Sequence, residues 1–272
     1  MSYTIASDIH THTLFSRHAY STIAENVAAA RRAELEVLGS SDHFSAMLES
    51  HLDIRDFQFF INQVAWPRLW DGVILLRAAE VDIVTLDGGL FGEDIGCPES
   101  IAGQRRQTER SLFECALANL DYLIASVHND EFTRGASLAR TTQMYVRALE
   151  HPRVFELGHV GRSGVPFDLD EVLGCAKALG KLIEVNEHSL ARDPDGSSLA
   201  ACERIACRCA ELGVGISVSS DAHIALDIGS FPSASAMLER IDFPEELIMN
   251  RSRDSLFAQL CASGVCDLRD IT

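Results

Sequence analysis

Histidines and acids recur in this sequence at one kind of place, where an apolar run that reads as a β-strand gives way to a polar loop. Seven of the ten histidines have that position (His10, His12, His18, His43, His128, His159 and His223), and so do two acids, Glu80 and Asp221. Neutral imidazole and carboxylate are the donors that hold Zn, Mn or Fe. Nine such groups exceed what one ion needs, so their number points to a cluster of ions. The segment Asp8-Ile9-His10-Thr11-His12 sets three of the polar side chains on alternate residues, which places Asp8, His10 and His12 on one face of a strand. An isolated His-x-His is a weak signal. Its recurrence as Ser41-Asp42-His43, Ala79-Glu80, Val127-His128, Gly158-His159 and Asp221-Ala222-His223 makes it a strong one.

Those donors need elements that bring them together. Short apolar runs predict strands over residues 3–9, 36–40, 73–79, 122–127, 154–158, 181–186 and 214–219. Amphipathic stretches predict helices over 23–33, 56–70, 111–120, 142–151, 169–180, 199–212, 233–240 and 254–262. Thr22 with Glu25 reads as a capping box, and Pro67 kinks or ends the second helix. Seven strand–helix repeats imply a parallel sheet covered by helices. An open sheet would leave some strand ends far apart, whereas a closed barrel gathers them around one mouth. The expected fold is a distorted TIM-like (β/α)7 barrel, a single domain over residues 1–272. The glycine-rich segment 86–110, which follows the strand carrying Glu80, reads as a loop near the active-site mouth.

Composition narrows the function classes. A net charge of −17 argues against a general grip on duplex nucleic acid, which needs clustered cations. Bound divalent ions would still leave room for a locally positive site. Only Lys177 and Lys181 stand against 21 arginines, and neither falls at a strand's functional end, so Schiff-base chemistry is not expected. The opening Met-Ser-Tyr-Thr-Ile-Ala has no basic region or long apolar run, so a cytoplasmic protein with reduced, buried thiols and no membrane span is expected. Cys207 and Cys209, two apart on a helix, point in different directions and suit packing better than chelation.

In combination, His10-Thr11-His12, His18 with Ala19-Tyr20-Ser21, Ser41-Asp42-His43, Trp66-Pro67-Arg68 followed by Asp71-Gly72-Val73, and Asp221-Ala222-His223 resemble the polymerase and histidinol phosphatase (PHP) superfamily, particularly its small stand-alone phosphatases. The resemblance covers nearly the whole chain. It implies three divalent ions (Zn, Mn or Fe): one held by His10, His12, Glu80 and Asp221, a second by Glu80, His128 and His159, and a third by His18, His43 and His223. Two departures stand out. Segment 86–110 is longer than the family pattern, and Val160 follows His159 where proline is expected.

The chemistry this suggests is metal-dependent hydrolysis of small organic phosphate esters: monoesters, or cyclic diesters opened before phosphate is released. A hydroxide lying between two ions would attack phosphorus in line. Glu80, Asp221 and His223 are the candidate catalytic residues. Arg17, Arg162 and His188 are candidate substrate contacts, with Arg134 a weaker one. Asp8 and Asp42 are candidates for orienting ligand imidazoles, and Asp42 also for protonating the leaving group. His51 and His151 read as solvated. The expected partner is a small phosphorylated metabolite or nucleotide-like molecule, without duplex nucleic acid or membrane; a homo-oligomer fits equally well. The alternatives are an exonuclease-type phosphodiesterase, a C–N amidohydrolase, or a non-catalytic metal-binding module.

Overall fold

The computed structural model describes residues 3–47 and 51–271. Its strands are β1 (Ser7–Thr11), β2 (Val37–Ser40), β3 (His43–Phe44), β4 (Leu69–Trp70), β5 (Val73–Asp82), β6 (Tyr122–Ser126), β7 (Val154–Leu157), β8 (Leu182–Asn186) and β9 (Ile216–Ser219). Seven of them form a parallel path in the order β1-β2-β5-β6-β7-β8-β9, and β3 pairs with the far end of β5. All seven expected strands are present. The helices α1 (Ile23–Arg32), α2 (Gln58–Asn62), α3 (Leu112–Ala116), α4 (Leu138–Glu150), α5 (Leu169–Leu179), α6 (Glu187–Ala191), α7 (Ser197–Leu212), α8 (Pro232–Arg240) and α9 (Arg253–Ala262) surround the sheet. No helix among the described residues is long and apolar enough to cross a membrane.

The sheet nearly closes. At the carboxyl end, His12 N–H donates to Ala222 O and Asp221 N–H to His10 O, tying β1 to the loop after β9. At the other end the strands splay, and the buried Asn250 fills the gap. Its amide donates to Ser7 O at 2.6 Å and Val218 O at 2.7 Å, and accepts from Val218 N–H at 3.0 Å. One side chain thus replaces a missing rung of the ladder. Inside the barrel, the Tyr122 hydroxyl crosses to Ile9 O, leaving no room for a Cβ at Gly39.

Local signals explain most elements. Thr22 and Glu25 form the expected capping box on α1, and Gly180 ends α5 in the left-handed region. The helix expected over 56–70 is the clearest correction. It stops after α2 and one 3-10 turn, because Pro67 forces Trp66 into an extended conformation. The chain then enters a hairpin, with β4 antiparallel to β5 across Asp71-Gly72, both at positive φ. Asp-Gly is the favoured pair for that tight turn. The first strand starts at Ser7 rather than Tyr3, and α6 arises directly after β8, where no helix is expected.

All eight cysteines are free thiols, four buried and four partly buried. His151 is partly buried rather than solvated, and burial beside Lys181 and Arg153 pushes it down to about 4. Segment 86–110 helps line a cavity of about 870 Å³ with Phe113 and His151.

Replacing Asn250 with Ala would leave the Ser7 and Val218 carbonyls and the Val218 amide buried and unpaired. At about 1–3 kcal/mol for each buried polar group left without a partner, Asn250→Ala should destabilise the protein by at least about 3 kcal/mol. Urea denaturation would measure the loss, and amide exchange at Val218 should speed up if the loss arises at this seam.

Candidate metal centre

Every donor named from the sequence reaches the carboxyl-terminal mouth of the barrel. β1 carries His10 and leads into His12; β3 carries His43 and β5 carries Glu80. His128, His159, Asp221 and His223 follow β6, β7 and β9, and His18 comes from the loop after β1. Glu80, fully buried, is the hub. Its two oxygens lie 2.8 Å from His43 Nδ1, 3.3 Å from His10 Nε2, 3.6 Å from His12 Nε2, 3.2 Å from His128 Nε2 and 2.7 Å from His159 Nε2. Asp221 Oδ1 lies 2.9 Å from His12 Nε2 and 3.6 Å from His10 Nε2. His223 Nδ1 donates to Asp221 O at 2.9 Å, and its Nε2 then confronts His18 Nε2 at 2.8 Å.

The imidazoles are oriented from behind. Glu184 accepts from His10 Nδ1 at 2.7 Å, and Asp82 accepts from His128 Nδ1 at 2.6 Å. Ser16 donates its hydroxyl proton to Asp42 at 2.7 Å, so its oxygen accepts from His12 Nδ1 at 2.9 Å. In each case Nδ1 donates outward and Nε2 is left facing the centre. Two ligand-bearing turns have unusual backbone: His159 at φ 30° and Asp221 at φ 53°. The other oxygen of Glu184 accepts from His159 N–H at 2.6 Å and helps hold that turn. Such strain is found where the surroundings over-determine a conformation.

The donor set fits divalent ions. His10 Nε2, both nitrogens of His43, Glu80 Oε2 and His159 Nδ1 are buried without a hydrogen bond, although some lie close to opposite charge. Among the described residues four overlapping sets have donor atoms within 4.8 Å of one another: His10-His12-Asp221, His12-His43-His223, His43-Glu80-His128 and, on the Nδ1 side of His10, His10-Glu156-Glu184. Electrostatics points the same way. Burial alone would raise the Glu80 and Asp221 carboxyls, but the surrounding imidazoles hold both well below the usual range. Burial also pushes His12, His18, His159 and His223 down, His18 to about 4, so their lone pairs are free. His10 and His128 oppose that trend. Burial lowers them, but Glu184 and Glu80 overcome it at His10, while Glu80 and Asp82 lift His128 to about 10.

Beside the centre opens a cavity of about 450 Å³ whose walls include His18, His43, His128, Asp221 and His223. Arg162 and His188, both expected to meet substrate, line it, with Arg162 4.0 Å from Asp221. Arg17 is exposed in the turn after β1 and does not line this cavity. Arg134 pairs with Glu131 at 3.5 Å on the surface. No residue of segment 86–110 lines this cavity either, so its expected place at the mouth finds no support there.

Asp8 corrects the sequence reading. It accepts from Ser220 and Gly229 and steadies the loop carrying Asp221 instead of touching an imidazole. A register shift in the β1–β2 pairing between Asp8 and Thr11 breaks the simple alternation. Asp42 reaches His12 only through Ser16, its buried oxygens accept from Thr13 and Ser16, and it does not line the cavity beside the centre, which speaks against a role at the leaving group. Sequence reasoning missed Glu184, Asp82 and Arg192, the last also lining the cavity. Glu184 had a signal, an acid inside the strand expected over 181–186; Asp82 lies two residues beyond Glu80, on the same face of a β5 that runs past its expected end at residue 79.

Comparisons with known proteins agree with this geometry. The model of the PHP domain family matches residues 8–188. A protein of Clostridium acetobutylicum named probable phosphatase is 34% identical over 94% of this chain and 95% of its own length. One of Caldanaerobacter subterraneus with the same name is 35% identical over 94% of this chain and 91% of its own. Among solved structures, histidinol phosphate phosphatase from Lactococcus lactis, complexed with zinc, L-histidinol and phosphate, superposes with a TM-score of 0.54. It is 16% identical and covers 88% of this chain and 94% of its own. Archaeal ribonuclease P with mature tRNA contains a chain of TM-score 0.53 and 12% identity, covering 97% of this chain and 94% of its own. At those identities the two structures speak for the fold alone.

Glu184 accepts at both oxygens, so Glu184→Gln must turn an N–H₂ toward one of two donors. The variant should bind Zn or Mn about 10–100-fold more weakly, read by competition with a chromophoric chelator, while its far-ultraviolet spectrum stays that of the parent. Metal entry at neutral pH should also release protons, because His10 and His128 keep theirs until an ion replaces them. Affinity should therefore rise with pH, as a pH-indicator titration in weak buffer would report.

Proposed function

The chain belongs to the PHP domain family, and from that premise we propose that it is a metal-dependent phosphatase acting on small organic phosphate esters. The observation that carries this reading is the meeting of a buried nitrogen and carboxylate cluster with two guanidinium groups, Arg162 and Arg192, in one cavity. Relatives named probable phosphatases, matched over almost their whole length, support it. His10, His12, Glu80 and Asp221 would hold one ion, Glu80 with His128 and His159 a second, and His18, His43 and His223 a third. When bound, such ions lower the pKa of water and neutralise charge on phosphoryl oxygens.

The residues of the chain then have distinct tasks. Glu80 bridges neighbouring positions, with one oxygen toward His128 and His159 and the other toward His10, His12 and His43. Asp221 faces His10 and His12 with one oxygen; the other accepts from Asn186 at 3.2 Å, which leaves the carboxylate little freedom to turn. Arg162 is one-third exposed and reaches the cavity beside Asp221, where its fork of donors suits a phosphate dianion. His188, lowered by burial, is a neutral imidazole that can donate to a substrate oxygen. Monoesters are the favoured substrates, because a dianion best matches a cluster of cationic centres. Cyclic diesters, opened and then hydrolysed at the same centre, remain within its chemistry.

Metal-loaded protein incubated with a panel of primary alkyl phosphates should release inorganic phosphate, and chelation should abolish that release reversibly. Arg162→Ala should lower kcat/KM by about 10–100-fold, as expected for lost charge-assisted hydrogen bonds of about 1.5–3 kcal/mol, with metal content unchanged. Turnover of short single-stranded DNA without turnover of small esters would overturn the proposal in favour of an exonuclease.

A further inference from the structure

The cavity at the metal centre has a second wall of opposite character. Tyr20, Met47 and Ile224 line it in addition to Arg162, His188, Arg192 and Asp227. These apolar side chains are exposed, Tyr20 by 75% and Met47 by 50%, and Leu226 beside Ile224 by 80%. Tyr20 and Ile224 share one surface, because Tyr20 N–H donates to His223 O at 2.8 Å and Ala225 N–H to Ser21 Oγ at 2.8 Å. The two loops are thereby locked together at the same turns that deliver His18 and His223. An apolar surface left open to water next to convergent polar groups is the usual form of a small-molecule site, and 450 Å³ is a normal size for one.

We infer that this wall selects the organic half of the substrate, and that the enzyme prefers phosphate monoesters of apolar, ring-bearing or alkyl alcohols over those of polyhydroxylated ones. The inference rests on the phosphatase reading and adds a substrate class to it. With the phosphoryl group at the metal centre and Arg162, the ester oxygen directs the alcohol portion outward along Tyr20 and Ile224. A sugar placed there would give up water at most of its hydroxyls, since Met47 and Ile224 offer no hydrogen bond and Tyr20 only its single hydroxyl. An alkyl or benzyl group would lose nothing and would cover Tyr20, Met47 and Ile224.

The test compares benzyl and hexyl phosphate with glycerol 3-phosphate and a hexose 6-phosphate, all with primary alkoxide leaving groups, on metal-loaded full-length protein. The expected kcat/KM for the first pair exceeds that for the second at least about tenfold, the scale of discrimination an apolar pocket provides. In Tyr20→Ser and Ile224→Ser that ratio should fall toward one. Damage to the metal centre would lower both classes and leave the ratio intact, so a ratio unmoved by either variant overturns the assignment, as does equal or better hydrolysis of the polar pair. If no ester is hydrolysed, the phosphatase reading fails, and binding of benzylphosphonate against methylphosphonate decides the wall separately. Tighter binding of the benzyl compound that Tyr20→Ser removes upholds the wall, and equal binding overturns it.

Discussion

A carboxylate sealed from water and facing five imidazoles is the constraint on which this structure turns. Glu80 has no exposure, and a charge buried at such depth must be matched by charge of opposite sign. Asp221, Glu184 and Asp82 add to the demand. The buried acids hold His10 and His128 well above the usual imidazole range; divalent ions bound there would meet the demand better, because each would supply two charges and take up lone pairs that have no hydrogen-bond partner. The orienting bonds from Glu184, Asp82 and Ser16 suit the site to such ions, since each engages Nδ1 and turns Nε2 inward.

The barrel is what makes so dense a collection of polar groups tolerable. Its donors come from segments up to two hundred residues apart, and each is fixed where a rigid strand ends. Closure is incomplete at the amino end, where Asn250 substitutes for strand pairing, and complete at the carboxyl end, where backbone bonds join His10 and His12 to Asp221 and Ala222. The functional end is therefore the tighter one. Strained turns at His159 and Asp221 survive because Glu184 holds the first, while Asp8, bonded to Ser220, steadies the second.

Much of this was legible in the chain because it is local. Apolar runs of five or so residues, each ended by a polar turn, marked all seven barrel strands, and the capping box of α1 was plain in Thr22 and Glu25. The helix expected over 56–70 failed for an equally local reason: Pro67 and Asp71-Gly72 outweigh the amphipathic pattern around them. Glu184 is legible as an acid inside an expected strand, whereas Asp82 lies past the expected end of its strand and is placed only by the longer β5. Arg17 and Arg192 show where sequence proximity misleads. Arg17 adjoins the candidate ligand His18 whereas Arg192 lies near none, yet the loop paths bring Arg192 to the cavity and leave Arg17 outside it.

The sequence by itself determined the kind and number of donor groups and the strand end each occupies, since residue type and period-two alternation are carried by neighbours along the chain. Only the tertiary structure decided which acid stands behind which imidazole, that Asp8 turns to Ser220 instead of the centre, and that Tyr20 and Ile224 share a wall. Those outcomes depend on strand register, on an irregularity within β1 and on the routes of loops packed against distant segments. Such contacts are set by closure of the whole barrel, and no stretch of a few residues contains them.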